Sequence, residues 1–333
     1  VFRKRKSIND YKALLASQHT PTLSEVITIA ESKKPEDQIL FQNLLNEILP
    51  STGNSLRLGI SGPPGVGKSS FIEAFGPYIL QHYSKLAILA IDPSSQKTKG
   101  SILGDKTRME KLSQNPKVFI RPTAAGNTLG GVAKHTREAI LVCEAAGFDF
   151  IIIESVGVGQ SEVELQEMTD FFLLLQLPGA GDELQGIKRG IIELADCIAI
   201  TKSEGENRKL AIKAAQELRF ALNLLSPISQ RNWEPQVYLT SSQSGEGLAE
   251  IMEVLLNFHK NAEQKGWLKQ KREQQQINWF HKLFSSSLID FFYQNQEINQ
   301  QIANAEKNIF NRQITPFIAA DRILKQIFSK FNA

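Results

Sequence analysis

Cysteine is nearly missing from this chain: Cys143 and Cys197 are the two among 333 residues, and each sits inside an apolar run. That excludes a disulfide framework and points to a reducing compartment. The five histidines show no metal-site spacing with either cysteine, so a zinc-type cluster is not expected. No uninterrupted apolar stretch reaches the length that spans a membrane. An excess of one charge is also lacking. Lys and Arg number 38 and Asp and Glu 35, a net charge of +3, too small for a field directed at nucleic acid or a membrane surface. Neither partner is expected. The start, VFRKRKSIND, is basic and has no Met, which leaves a trimmed leader open.

What is present divides the chain into three parts. Residues 1–55 read as a helical extension, with YKALLAS and FQNLLNEIL carrying apolar residues at helical spacing. From 56 to 258, short apolar runs alternate with amphipathic stretches. The strand candidates are LRLGIS, LAILAID, KVFIRP, FDFIIIES, FFLLLQL, CIAITK and QVYLTS. Near-continuous apolar strands are covered on both faces, so this part is expected to be a largely parallel sheet sandwiched by helices. Residues 259–333 are rich in Gln and Asn and show amphipathic helix patterns, INWFHKLFSSSLIDFF and TPFIAADRILKQIF. Their apolar faces need a surface to cover, and a second copy of the chain is the commonest solution.

The strongest local signal is GISGPPGVGKSS. Gly62, Pro63, Pro64, Gly65, Val66, Gly67, Lys68, Ser69 and Ser70 form a phosphate loop between a strand candidate and a helix candidate, the context the motif requires. Backbone N–H groups converge on phosphate oxygens there, and the following helix adds its positive end. Lys68 is expected to reach the β- and γ-phosphates, and Ser69 to bind Mg²⁺ through its hydroxyl. Asp92 ends LAILAID and Glu154 ends FIIIE, so both belong at the phosphate-loop edge of a parallel sheet. Mg²⁺ takes a few carboxylates together with water and phosphate oxygens. ESVGVGQ has the form acidic-x-x-Gly, in which Gly157 offers its N–H to the γ-phosphate. Asp105, in KGSILGDKTRM, is a further candidate for the metal or the attacking water.

The stretch IAITKSEG raises the question of the base. GTP-binding proteins place Asn-Lys-x-Asp after such a strand, whereas Thr201, Lys202, Ser203 and Glu204 stand here. A carboxylate accepts from guanine N1–H and the 2-amino group and repels the bare N1 of adenine. Glu204 keeps that charge, with one more methylene. Lys202 keeps the aliphatic stem that lies along the base. Thr201 lacks the amide that ties this loop to the phosphate loop, so a looser loop and relaxed stringency are expected. Ser241 and Ser242, in TSSQSGEG, are expected to close over the base from the other side.

Taken together, GISGPPGVGKSS, AIDPSSQKTKGSILGDKTRM, NTLGGVAKHTREAILVCEAAGFD, IIESVGVGQSE and LPGAGDELQGIKRGI resemble the MeaB/ArgK family. The resemblance covers essentially the whole chain and is tightest from 56 to 202. It implies a P-loop NTPase fold, slow hydrolysis of GTP to GDP, Mg²⁺ as cofactor and homodimerisation. It also implies a partner, adenosylcobalamin-dependent methylmalonyl-CoA mutase or a related acyl-CoA mutase, whose cofactor loading and repair are gated. Its metal and catalytic positions fall on Lys68, Ser69, Asp92, Asp105 and Glu154. Its partner-responsive switch falls on PGAGDELQGIK, with Gln185 and Lys188 as couplers. A cytoplasmic location follows for a bacterial member, the mitochondrial matrix for a eukaryotic one. Two other readings stand beside it. A transport-associated kinase or ATPase needs an acceptor site, and none is defined in the sequence. A metal-insertion GTPase needs Cys/His clusters. No Arg or Gln stands at an obvious water-orienting position, Gln160 being a weak candidate, so low intrinsic turnover is expected.

Overall fold

Each of the seven apolar runs forms a strand. They are β1 (Leu56–Ser61), β2 (Leu86–Asp92), β3 (Val118–Ala124), β4 (Phe150–Glu154), β5 (Phe171–Gln176), β6 (Cys197–Ile200) and β7 (Gln236–Leu239). This computed structural model describes residues 5–92, 109–124, 131–155, 161–179, 189–224 and 233–331. The strands make one parallel sheet in the order β3-β2-β4-β1-β5-β6-β7. β1 lies at its centre, between β4 and β5, and every residue of β5 is buried. Strands covered on both faces need no polar alternation, which is why they read as unbroken apolar runs.

Helices cover both faces. Leu56, Leu58 and Ile60 of β1 pack with Phe71, Phe75 and Ile79 of α4 (Lys68–His82). Helix α5 (Glu110–Gln114) adds Leu112 to this core. On the opposite face lie α6 (Gly131–Ala145), against β2 and β3, and α7 (Ser161–Gln166), against β1 and β5. Three N-terminal helices, α1 (Ile8–Ala16), α2 (Thr20–Ala30) and α3 (Pro35–Ile48), pack on one another and on α6. Ser7 and Asp10 cap α1 reciprocally, the arrangement that satisfies two orphan N–H groups at once. Helix α8 (Arg189–Leu194) packs on α7, α9 (Arg208–Leu224) packs on β7 and β6, and α10 (Leu248–Gln264) adds Ile251, Leu255 and Phe258 to the α4 face.

The chain divides into two compact units, Val1–Gln275 and Gln276–Ala333. This division does not coincide with the composition shift near 259. Helix α11 (Trp267–Gln294) starts inside the first unit, where Trp267 meets Phe258 edge to face at 4.9 Å and Leu268 enters the core. In the second unit, α12 (Gln296–Phe310) packs on α13 (Pro316–Phe331). Phe280, Phe284, Leu288 and Phe291 form a stripe along α11 at helical spacing and are 61%, 54%, 41% and 61% exposed. None of the described helices is long and apolar enough to cross a membrane.

The edge of the sheet where β1 begins carries a buried charge network. Asp170, fully buried, accepts from Arg272 Nε at 2.8 Å and Nη2 at 2.6 Å, and from the Arg57 backbone N–H at 2.8 Å. Arg272 also donates to the carbonyls of Gly53 and Ser55. Arg57 pairs with Glu144 of α6 at 3.0 and 3.1 Å, and the Gly53 N–H and the Ser55 hydroxyl donate to the same carboxylate. Burial pushes the Asp170 carboxyl upward, but the Arg272 guanidinium outweighs it and the group ends below its ordinary value. The unfolded chain therefore binds the proton more readily. The resulting stability is present above about 3.8, the ordinary value, and is lost as pH falls through the folded value. Arg272→Met should cost about 3–5 kcal/mol, because it leaves a buried carboxylate without its cation. Adding Asp170→Asn should recover part of that loss, since the amide oxygen still accepts from the Arg57 N–H. Urea midpoints of the single and double variants check this, and a double variant no more stable than Arg272→Met contradicts it.

Candidate nucleotide site

The phosphate loop follows β1 and runs directly into α4. Gly62 has no alternative there, because a Cβ at that position would lie 2.5 Å from the Leu175 carbonyl oxygen of the neighbouring strand. Gly67 caps α4 at φ 93°, a left-handed conformation that side chains disfavour. Val66 is fully buried and anchors the loop from beneath. The Lys68 ammonium folds back over the loop and donates to the carbonyls of Gly62 at 2.8 Å and Pro63 at 3.3 Å. Burial lowers its pKa, while the carboxylates of Glu154 and Glu162 act in the opposite direction. Carbonyl contacts of this kind can be exchanged for phosphate oxygens, which offer a cation stronger partners.

Both strand-end acidic residues, Glu154 and Asp92, stand at this edge by their backbone register. Glu154 ends β4 opposite Ile60 of β1, and Ser69 Oγ lies 3.5 Å from Glu154 Oε1. The pair is a hydroxyl and a carboxylate beside a phosphate loop, a donor set that suits Mg²⁺. Asp92 closes β2 and pairs with Ala124, two residues beyond the register match of Ala90 with Glu154. Asp105, Gly157, Gln160, Gln185 and Lys188 lie outside the described residues. A further carboxylate comes into view here. Glu162, in the first turn of α7, is 2% exposed and accepts from the Ser61 hydroxyl at 3.3 Å. In the sequence it reads as an ordinary acidic residue at a helix start, and only the fold brings it to the end of β1.

The loop after β6 corrects one expectation. Thr201 does tie it to the phosphate loop: its hydroxyl donates to the Val66 carbonyl at 2.7 Å. The hydroxyl takes the place of the missing amide because β6 ends close enough for a short side chain to reach. Lys202, at φ 55°, turns the chain and donates to the Gly65 carbonyl at 2.8 Å, with its stem 3.8 Å from the Cβ position of Gly67. Two consecutive residues of this loop thus bind two carbonyls of the phosphate loop. Glu204 Oε2 is buried and has no hydrogen-bond donor among the described residues. That leaves an acceptor for N–H groups of a bound molecule.

The loop after β7 is fastened to the same place. Ser203 Oγ accepts from the Thr240 N–H at 3.1 Å, and the Ser203 N–H donates to the Thr240 carbonyl at 3.2 Å. Ser241 is buried, and its oxygen accepts from the N–H groups of Gln243 and Ser244 at 3.2 and 3.1 Å. It shapes the turn, while Ser242 stays half-buried beside it. Arg208, the first residue of α9, pairs with Glu246 of the loop after β7 at 2.6 Å.

Comparison with known proteins agrees with this geometry. The family model for the methylmalonyl-CoA mutase-associated GTPase MeaB matches residues 23–297. A probable GTPase of Mycobacterium tuberculosis is 43% identical over 303 residues, 91% of this chain and 90% of that protein. The GTPase ArgK of Escherichia coli is 40% identical over 295 residues, 89% of each chain. A mouse protein, the mitochondrial methylmalonic aciduria type A homolog, is 42% identical over 330 residues, 96% of this chain and 79% of its own length. Among solved structures, a LAO/AO transport system kinase superposes with a TM-score of 0.78 at 32% identity, covering 98% of this chain and 99% of that one. Phosphate loop, parallel sheet and likeness over most of the chain converge: the chain is a P-loop GTPase and belongs to the methylmalonyl-CoA mutase-associated GTPase MeaB family.

Proposed function

We propose that this GTPase serves an adenosylcobalamin-dependent methylmalonyl-CoA mutase as a chaperone, gating cofactor loading and protecting or reactivating the enzyme. The observation that carries the guanine-nucleotide half is the buried, donorless Glu204 oxygen on a loop bonded to the phosphate loop through Thr201 and Lys202. The mutase half rests on the family description and on the name of the mouse relative.

In this reading the phosphate-loop N–H groups and Lys68 hold the β- and γ-phosphates. Lys68 gives up its contacts with Gly62 and Pro63 for phosphate oxygens as the triphosphate enters. Mg²⁺ would be held by Ser69 and Glu154 with Asp92 and Asp105, and when bound it neutralises charge on the β- and γ-oxygens. Glu154 or Asp105 orients the water, and Gly157 offers its N–H to the γ-phosphate. Glu204 accepts from guanine N1–H and the 2-amino group, with the Lys202 stem along the ring and Ser241 and Ser242 on the other side. Positioning and electrostatics supply most of the rate. Gln185 and Lys188 couple the site to the mutase. The exposed Phe280, Phe284, Leu288 and Phe291 stripe supports a homodimer built on the second unit.

Lys68→Ala should lower GTP turnover by at least about 10²-fold and weaken triphosphate binding in a protein with an unchanged circular dichroism spectrum. Near-normal turnover in that folded variant contradicts the assignment. Glu204→Gln should move preference from GTP toward XTP, because the amide NH₂ donates to the xanthine 2-carbonyl where a carboxylate repels it. Competition binding with GTP, ATP and XTP reads the change, about tenfold for a buried contact of about 1–3 kcal/mol. Equal affinity of the native protein for ATP and GTP contradicts base reading by this loop. Truncation after Gln275, which spares Arg272, should give a monomer that still binds GDP. Light scattering decides, and a truncated protein that remains dimeric contradicts the second unit as the dimer element.

A further inference from the structure

Ser61, Ser155 and Glu162 form a buried chain to which the site described above gives no contact with phosphate or metal, although the Glu162 carboxylate acts on the Lys68 ammonium through its charge. The Ser155 hydroxyl donates to Ser61 Oγ at 2.8 Å, and the Ser61 hydroxyl donates to Glu162 Oε1 at 3.3 Å. Ser61 and Ser155 are fully buried and Glu162 is 2% exposed. The three residues come from three elements. Ser61 is the last residue of β1, directly before the phosphate loop. Ser155 directly follows Glu154, and its N–H donates to the Ile60 carbonyl at 3.0 Å, which continues the β1–β4 ladder. Glu162 lies in the first turn of α7. A buried carboxylate is costly unless its site holds it through specific partners. Here it accepts at the junction of the strand end that launches the phosphate loop, the strand end that carries Glu154, and the helix beyond the acidic-x-x-Gly stretch.

We propose that Glu162, acting through Ser61 and Ser155, is a positioning residue for GTP hydrolysis, fixing the first turn of α7 against the ends of β1 and β4. It does not touch the nucleotide. It sets where Glu154 and the start of α7 stand relative to the γ-phosphate. A displacement of about 1 Å at such a site is enough to cost about 100-fold in rate. Binding of GDP depends on the phosphate loop and the base loop, which are held by Val66, Thr201 and Lys202, and does not need this brace. The inference rests on the GTPase reading of the site.

The test compares Glu162→Ala, Glu162→Gln and Ser61→Ala in the full-length protein, each checked for native circular dichroism. The measurements are GTP turnover, KM for GTP, and GDP affinity by direct titration. Glu162→Ala should lower kcat about 10- to 100-fold with KM for GTP and GDP affinity within about twofold. Glu162→Gln should retain most of the rate, because its amide oxygen still accepts from Ser61. Ser61→Ala should lower kcat in the same way as Glu162→Ala, though less, and it carries the test if Glu162→Ala does not fold. An unchanged kcat in the alanine variants overturns the proposal. So does a loss of GDP affinity in proportion to the loss of kcat, or a Gln variant as slow as the Ala variant. A native protein that turns over no GTP in the same assay contradicts the GTPase reading itself, a separate failure.

Discussion

The parallel pairing of β1 with β4 on one side and β5 on the other is the constraint on which the site depends. The register aligns Ile60 with Glu154 and Ser61 with Leu174, so the strands end at one edge. A chain leaving β1 at that edge meets the Leu175 carbonyl, and only glycine fits at position 62. The same edge receives the loops after β6 and β7. At the opposite edge β1 is fixed just as firmly, by Arg57 with Glu144 and by Asp170 with Arg272. One strand therefore has its beginning held by charge and its end by steric exclusion. The phosphate loop hangs from the second of these.

The base loop and the phosphate loop are joined directly by hydrogen bonds. Thr201 and Lys202 each bond a carbonyl of the phosphate loop, and Ser203 bonds the loop after β7. Three successive side chains thus join three loops, and the fourth, Glu204, carries the free acceptor. Buried hydrogen bonds to otherwise unsatisfied carbonyls are costly to lose, about 1–3 kcal/mol each. A hydroxyl at position 201 meets that demand as an amide would. Thr201 in place of Asn preserves the tie between the two loops.

Much of this was legible in the sequence, and the reasons are local. The strands announce themselves because residues buried on both faces need no polar alternation, and FFLLLQL and FIIIE contain almost none. The phosphate loop is legible because its glycines and Lys68 act within a few residues of one another. What escaped depends on long separations. Thr201 reaches Val66 across 135 positions, Ser61 reaches Glu162 across 101, and Arg272 reaches Asp170 across 102. No periodicity encodes such contacts, because they follow from the order of strands in the sheet. The change of composition near 259 marks where strands cease. It does not mark the end of the first unit, because Trp267, Leu268 and Arg272 still pack within it.

In the function proposed above, backbone groups and Lys68 hold the triphosphate and a carboxylate orients the water, parts that suit slow hydrolysis completed by a partner. The measurement that bears most directly on this account is GTP hydrolysis by the full-length chain with and without an adenosylcobalamin-dependent methylmalonyl-CoA mutase. The account predicts slow turnover alone and faster turnover when the mutase is added. The same rate with and without the mutase, at concentrations where the two proteins co-elute, would contradict it.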